Sequence, residues 1–157
     1  SSDLMVVGAI HGWAVGGGLE WTTNCDFVVM AQSCRFFFPE ISLGVFVTGG
    51  VTRLLVEQIG LQNAREMILF GNRYAASDAE QLGFSWRIVE DEDVMPRARS
   101  LAQRITALPS GPVKNLKRAL QASTTASLET AMVLETEATL EGFLDPLSVD
   151  RVRAHLS

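Results

Sequence analysis

Three consecutive glycines, Gly16, Gly17 and Gly18, stand directly before Leu19-Glu20-Trp21-Thr22-Thr23-Asn24, a stretch long enough for two helical turns. Backbone without side chains lets a ligand come close, and the first N–H groups of a helix have no partner within it. Donors so placed suit an anion or a developing oxyanion. An isolated triple glycine is, as a rule, only a tight strand-to-helix turn, and spacing alone leaves that reading open. A nucleotide loop does not fit, because no Lys-Ser or Lys-Thr follows the glycines and the GxGxxG spacing is absent. Glu20 comes three residues after Gly17, in the first helical turn, where the ordinary use of a carboxylate is to offset the helix dipole. Glu40 follows Phe36-Phe37-Phe38-Pro39. As an exposed loop residue it is unremarked, but apolar flanks leave a carboxyl partly desolvated. If the chain folds back so that both glutamates face one pocket, repulsion favours one protonated and one ionised group, an acid and a base together.

The elements that must hold these residues are legible from periodicity. Leu4–Ile10 and Phe27–Ala31 are short, β-branched and glycine-bounded, which predicts buried strands on either side of the loop and helix. Leu54, Leu55, Val56 and Ile59 recur at helical spacing over residues 52–59, and Gly60 provides a stop. A second helix is expected over residues 62–69. Ser77 with Glu80 three residues on reads as a capping box for a short helix ending at Gly83. A strand is expected over 84–89, then helices over 94–108, 113–122 and 128–144, broken at Pro109, Gly111 and Pro112 and again at Asp145-Pro146. No internal repeat or linker is visible. The fold class is α/β, with residues 1–90 carrying the glycine loop and both glutamates and residues 91–157 forming a helical region of the same domain.

Composition narrows the possible functions. The chain has 157 residues, 47% of them hydrophobic and 20% charged, as expected of a globular domain with its own core. A formal charge of −5, with the basic residues scattered, gives no footprint for nucleic acid. The apolar run at residues 4–10 is too short for a membrane span or signal peptide. Cys25 and Cys34 lack metal or redox-pair spacing and are expected as two buried free thiols. They suit a reducing compartment, so the cytoplasm is expected, with the mitochondrial matrix open if a transit peptide has been lost. The ending Ala154-His155-Leu156-Ser157 is not the usual peroxisomal one.

The ordered segments Ala9-Ile10-His11-Gly12-Trp13-Ala14-Val15-Gly16-Gly17-Gly18-Leu19-Glu20, Cys25-Asp26 and Phe38-Pro39-Glu40-Ile41-Ser42-Leu43-Gly44 resemble the signature of the crotonase (enoyl-CoA hydratase/isomerase) superfamily. The likeness continues through Gly49-Gly50, Thr52, residues 64–71 and residues 75–84. It implies a spiral of ββα units, a CoA-thioester substrate with CoA as its carrier, no metal or other cofactor, and a homotrimer or homohexamer built through C-terminal helices. Gly17 matches the position whose N–H is one of two oxyanion donors, and Glu20 and Glu40 match the paired hydratase glutamates. Gly16, Gly18, Gly44 and Phe46 are the accompanying candidates for contact with substrate. The implied activity is addition of water to a 2-enoyl-CoA. The alternatives are an enoyl-CoA isomerase or other CoA-thioester chemistry in which Glu40 shuttles the proton, or an inactive truncated assembly subunit.

Several residues depart from the family pattern. The N-terminal stretch with which the family normally begins, including the second oxyanion donor and much of the CoA adenine site, is not in this sequence, and the opening Ser1-Ser2 favours a partial chain. Val47 and Thr48 stand where many hydratases carry Pro-Gly, so a different acyl pocket is expected. Phe36–Phe38 and Phe46 could line an aromatic acyl site, but a buried sheet face is the expected use of such residues. His11 is expected to make a structural hydrogen bond at the loop entrance, Trp13 and Trp21 to pack beside the loop, and His155 to be solvated.

Overall fold

A computed structural model describes residues 3–156, with side chains as far as 154. The expectations placed on Ser1-Ser2 and on the side chain of His155 lie outside the described residues. Val6–Gln103 forms one compact unit. It opens with β1 (Val7–Ile10), β2 (Trp13–Val15) and α1 (Gly17–Thr23), and the order recurs as β3 (Phe27–Ala31), β4 (Arg35–Phe37), a 3-10 turn over Ile41–Leu43 and α2 (Val51–Ile59). β1 pairs in parallel with β3, Val7 opposite Phe27 through Ile10 opposite Met30. β2 pairs in parallel with β4, Trp13 opposite Arg35 through Val15 opposite Phe37. One strand-strand-helix unit is thus laid on the next. The repeat is invisible in the sequence because the two units share only short apolar strands, filled by different residues.

α3 (Leu61–Phe70) leads to β5 (Tyr74–Ala75), which adds to β4 in antiparallel fashion, with Tyr74 opposite Phe36. α4 (Ala76–Gln81) leads to β6 (Arg87–Val89), which adds in parallel to β3, and α5 (Val94–Thr106) follows. The two sheets therefore run β1-β3-β6 and β2-β4-β5. β3, central and covered on both faces, is buried from Val28 to Ala31, as parallel strands require. Leu19, Phe36, Phe38, Leu55 and Met67 complete the middle of the core.

The second unit holds α6 (Ser110–Ser123), α7 (Leu128–Leu144) and α8 (Pro146–Leu156), with α7 packed against both others. Asp3 and Leu4 belong to it. Lys114 pairs with the Asp3 carboxylate at 2.7 Å, and the buried Lys117 ammonium donates to the Leu4 carbonyl at 2.6 Å.

Several boundaries differ from expectation, each because local hydrogen bonds compete with the regular element. β1 starts at Val7 rather than Leu4, because the Val6 N–H donates to the Asp26 carboxylate at 2.6 Å. β6 starts at Arg87 rather than Phe84, because the N–H groups of Phe84 and Ser85 both return to the Ala79 carbonyl. The capping box is displaced by two residues: Asp78, not Glu80, accepts from the backbone, taking the Ala75 N–H at 2.7 Å. No break occurs at Gly111-Pro112, since Pro112 lies in the first turn of α6, where no N–H is needed. Asp145-Pro146 ends α7 but also begins α8. The Asp145 carboxylate accepts from the Leu147 N–H at 3.2 Å and from the Ser148 hydroxyl at 2.9 Å, with proline at the first helical position.

The two cysteines are unlike each other. Cys34 is fully buried, and burial pushes its thiol up to about 11, so it remains a neutral core side chain at any ordinary pH. Cys25 is only half-buried, against the expectation of two buried thiols, and its Sγ points to the Trp21 carbonyl at 3.4 Å. Iodoacetamide at pH 8 is therefore expected to modify Cys25 and leave Cys34 untouched until denaturant is added. Peptide mapping of the alkylated protein checks this.

Candidate active site

The glycines occupy unequal positions. Gly16 precedes α1 and ties the two repeats together: its N–H donates to the Phe37 carbonyl at 3.1 Å while its own carbonyl accepts from the Glu20 N–H at 2.9 Å. Its φ of 51° lies in the left-handed region. A Cβ there would also sit 2.6 Å from Oε1 of Glu40, so glycine is required both by backbone angle and by a close approach. Gly17 and Gly18 are the first two residues of α1, where N–H groups have no partner one turn back, and the space around both α-carbons is open. Helix formation from within the glycines, rather than after them, is what aims those donors outward.

Glu40 caps the 3-10 turn, its carbonyl accepting from the N–H groups of Leu43 and Val45. Only 9% of the residue is exposed, and the buried Oε2 has no hydrogen-bond partner among the described residues. A carboxyl oxygen without a partner is costly to bury and is kept where something else is to meet it. The stacking of the repeats explains the placement: Glu40 follows β4 as the glycines follow β2, and β4 lies beside β2.

Glu20 is held differently. Its carboxylate does not fold back onto its own helix but reaches the loop before α2, where Oε1 accepts from the Thr48 N–H at 2.6 Å and Oε2 from the Thr48 hydroxyl at 2.8 Å. The Asn24 amide bridges the same two segments, donating to the Glu20 carbonyl at 2.8 Å and to the Gly49 carbonyl at 3.1 Å. Thus Gly16 and Glu40 meet directly, Glu20 meets Thr48, and no described hydrogen bond links the two carboxylates.

The remaining candidates fall at the margins. Gly44 ends the 3-10 turn with a φ of 74° and open space around it, and Phe46 is 65% exposed on the same loop. Phe36 and Phe38 are fully buried, the sheet-face use expected of them, whereas Phe37 stands edge-to-face with Trp13 beneath the Arg73 guanidinium. Trp21 does not pack. It is 80% exposed because α1 buries Leu19, Thr22 and Thr23 and turns position 21 outward. His11 is exposed and lies in the field of Asp91, whose carboxyl is held below its usual range by hydrogen bonds from the Ser33 hydroxyl and N–H. Among the described residues no group of three His, Cys, Asp or Glu side chains is arranged to hold a metal ion, and no helix is long and apolar enough to cross a membrane. Thr48 is the residue that sequence reasoning passed over. Its signal was the departure from Pro-Gly at positions 47 and 48.

Solved structures place this fold in a class. An enoyl-CoA hydratase subunit I from Geobacillus kaustophilus HTA426 superposes with a TM-score of 0.93 at 32% identity, covering 98% of this chain and 60% of that one. An enoyl-CoA hydratase from Bacillus anthracis superposes at 0.92 with 27% identity over 98% of this chain and 59% of that one. The fold is that of the crotonase superfamily. The family profile described as enoyl-CoA hydratase/isomerase matches residues 1–148, and the chain belongs to that family. The short-chain-enoyl-CoA hydratase of Clostridium acetobutylicum is 30% identical over 138 residues, covering 88% of this chain and 53% of that protein. A probable mitochondrial enoyl-CoA hydratase of Dictyostelium discoideum is 32% identical over 130 residues, covering 83% and 47%. The chain spans about half the length of the curated relatives it matches.

Because Gly16 is required twice over, Gly16→Ala is expected to destabilise the protein by about 1–3 kcal/mol from backbone strain alone, at φ 51° and ψ −118°. Its added methyl must also displace the Glu40 carboxyl. Urea unfolding of the two proteins measures the two effects together, so the loss is expected at or above that figure.

Proposed function

We propose that this chain carries the hydration site of an enoyl-CoA hydratase, adding water across the α,β double bond of a 2-enoyl-CoA thioester. The observation that carries the reading is the buried carboxyl of Glu40, whose Oε2 has no hydrogen-bond partner among the described residues, lying against a glycine loop that runs into the first turn of a helix. The Gly17 N–H, with a second donor, takes the negative charge that develops on the thioester oxygen as the enolate forms. Glu20 holds the water and removes its proton as the oxygen bonds to the β carbon, while Glu40 delivers a proton to the α carbon. The proton gained by Glu20 returns to Glu40 before the next turnover. Gly16 and Gly18 shape the approach to the donor, and Gly44 and Phe46 border the acyl group. CoA enters only as the substrate's carrier, and the steps as written call for no further cofactor.

The unequal environments of the two glutamates support a second reading, an isomerase. Thr48 bonds each Glu20 oxygen once whereas Oε2 of Glu40 has no hydrogen bond among the described residues, as a single proton shuttle between carbons would need. A helical face supports assembly into a trimer or a pair of trimers: α7 buries none of its residues and exposes Leu128, Met132, Val133, Leu140, Phe143 and Leu144. The ββα stacking is read as part of a longer spiral of the same units. The thiols favour the cytoplasm, and the name of the Dictyostelium relative offers the mitochondrion as the alternative.

The test is loss of conjugated thioester absorbance with a panel of aliphatic and aromatic 2-enoyl-CoA substrates. A 3-hydroxyacyl-CoA product is expected. Glu20→Gln and Glu40→Gln are each expected to lower kcat by about 10²–10⁴-fold without unfolding the protein. If only Glu40→Gln has that effect, and 3-enoyl substrates are shifted instead, the isomerase reading replaces the hydratase. Inert behaviour with every substrate leaves the assembly subunit.

A further inference from the structure

Resting on the hydratase reading, we infer that Thr48 is the positioning residue of the site, fixing the carboxylate plane of Glu20 through two donors from one residue. Glu20 has three rotatable bonds before its carboxyl, and α1 supplies none of the hydrogen bonds described for that carboxylate, so nothing on its own helix sets the direction of its lone pairs. Thr48 supplies that direction. Its N–H meets Oε1 at 2.6 Å and its hydroxyl meets Oε2 at 2.8 Å, a fork that fixes both the position and the tilt of the group. A charge-assisted pair of this kind is stronger and more directional than a single neutral bond. Each carboxylate oxygen has about two acceptor sites, so one site on each stays open for a water molecule.

The loop is held where the fork requires it by contacts that do not involve the Thr48 side chain. Asn24 joins the Gly49 carbonyl at 3.1 Å to the Glu20 carbonyl of α1 at 2.8 Å, and Gly49, at a φ of 63°, turns the chain there. The hydroxyl can therefore be removed without releasing the loop. Thr48 touches no reacting atom and acts through Glu20, which separates it from Glu40, whose Oε2 is left for direct contact with substrate.

The experiment compares Thr48→Val, which keeps the shape and the backbone donor but loses the hydroxyl, with Thr48→Ser, which keeps both donors. Thr48→Val is expected to lower kcat by about ten- to a hundredfold with KM little changed, since a misaimed base loses rate rather than binding. Thr48→Ser is expected to recover most of that loss, with the thermal midpoints of all three proteins close together. Equal kcat in Thr48→Val and the unsubstituted protein, or no recovery in Thr48→Ser, overturns the inference. A second readout needs no turnover. In an amide ¹H–¹⁵N spectrum the Thr48 resonance is expected far downfield and to move upfield in Glu20→Gln. A Thr48 resonance indifferent to Glu20 also overturns the inference. Should the unsubstituted protein hydrate nothing while the resonance behaves as expected, the hydratase reading fails and the fork itself stands.

Discussion

The hydrogen bond from the Gly16 N–H to the Phe37 carbonyl is the constraint on which the candidate site depends. It lies just beyond the last paired residues of β2 and β4, at the point where one strand turns into a helix and the other into the Pro39-Glu40 corner. The parallel register carries the end of β4 to the end of β2, and the glycine loop and Glu40 are brought within contact as a result. Nothing about either residue alone would do this. The absence of a Cβ at Gly16 then lets the Glu40 carboxyl come closer than any other residue would allow.

Two carboxylates of the same type acquire different characters from their surroundings. Glu40 is buried and one of its oxygens has no partner among the described residues, while Glu20 is half-buried and gripped by Thr48. The difference follows from topology: Glu40 sits on a turn between layers, whereas Glu20 projects from the first turn of α1 toward the loop that precedes the next helix. A pair of acidic side chains so distinguished is suited to divided labour in proton transfer.

Much of this was legible in the sequence. The glycines, the first-turn position of Glu20 and the apolar approach to Glu40 all follow from residue type and spacing, and α2, α3, α5 and α7 follow from apolar periodicity with glycine or proline stops. What escaped was set by partners distant in sequence. β2, β4 and β5 are two or three residues long, too short for any period to register, and exist because neighbouring strands pair with them. The starts of β1 and β6 were moved by a side chain and by a helix-end carbonyl. α8 was hidden because Asp-Pro reads equally as a stop and as a start, and the Asp145 side chain decides for the latter. Thr48 could be noticed as unusual, but its bond to Glu20 spans 28 residues and has no local signature.

The segment from Gly44 to Gly49 is anchored at both ends, by the 3-10 turn at one and by the Thr48 and Asn24 bonds at the other. Phe46 stands exposed in the short span between them. For evolution or for an engineer this arrangement separates two kinds of change. Positions 45 and 46 are exposed and open to exchange of side chains, whereas Val47 is buried in the core, and insertion or deletion in the same span disturbs the hold of Thr48 on Glu20. Diversification at this rim is therefore expected to proceed by substitution at fixed loop length.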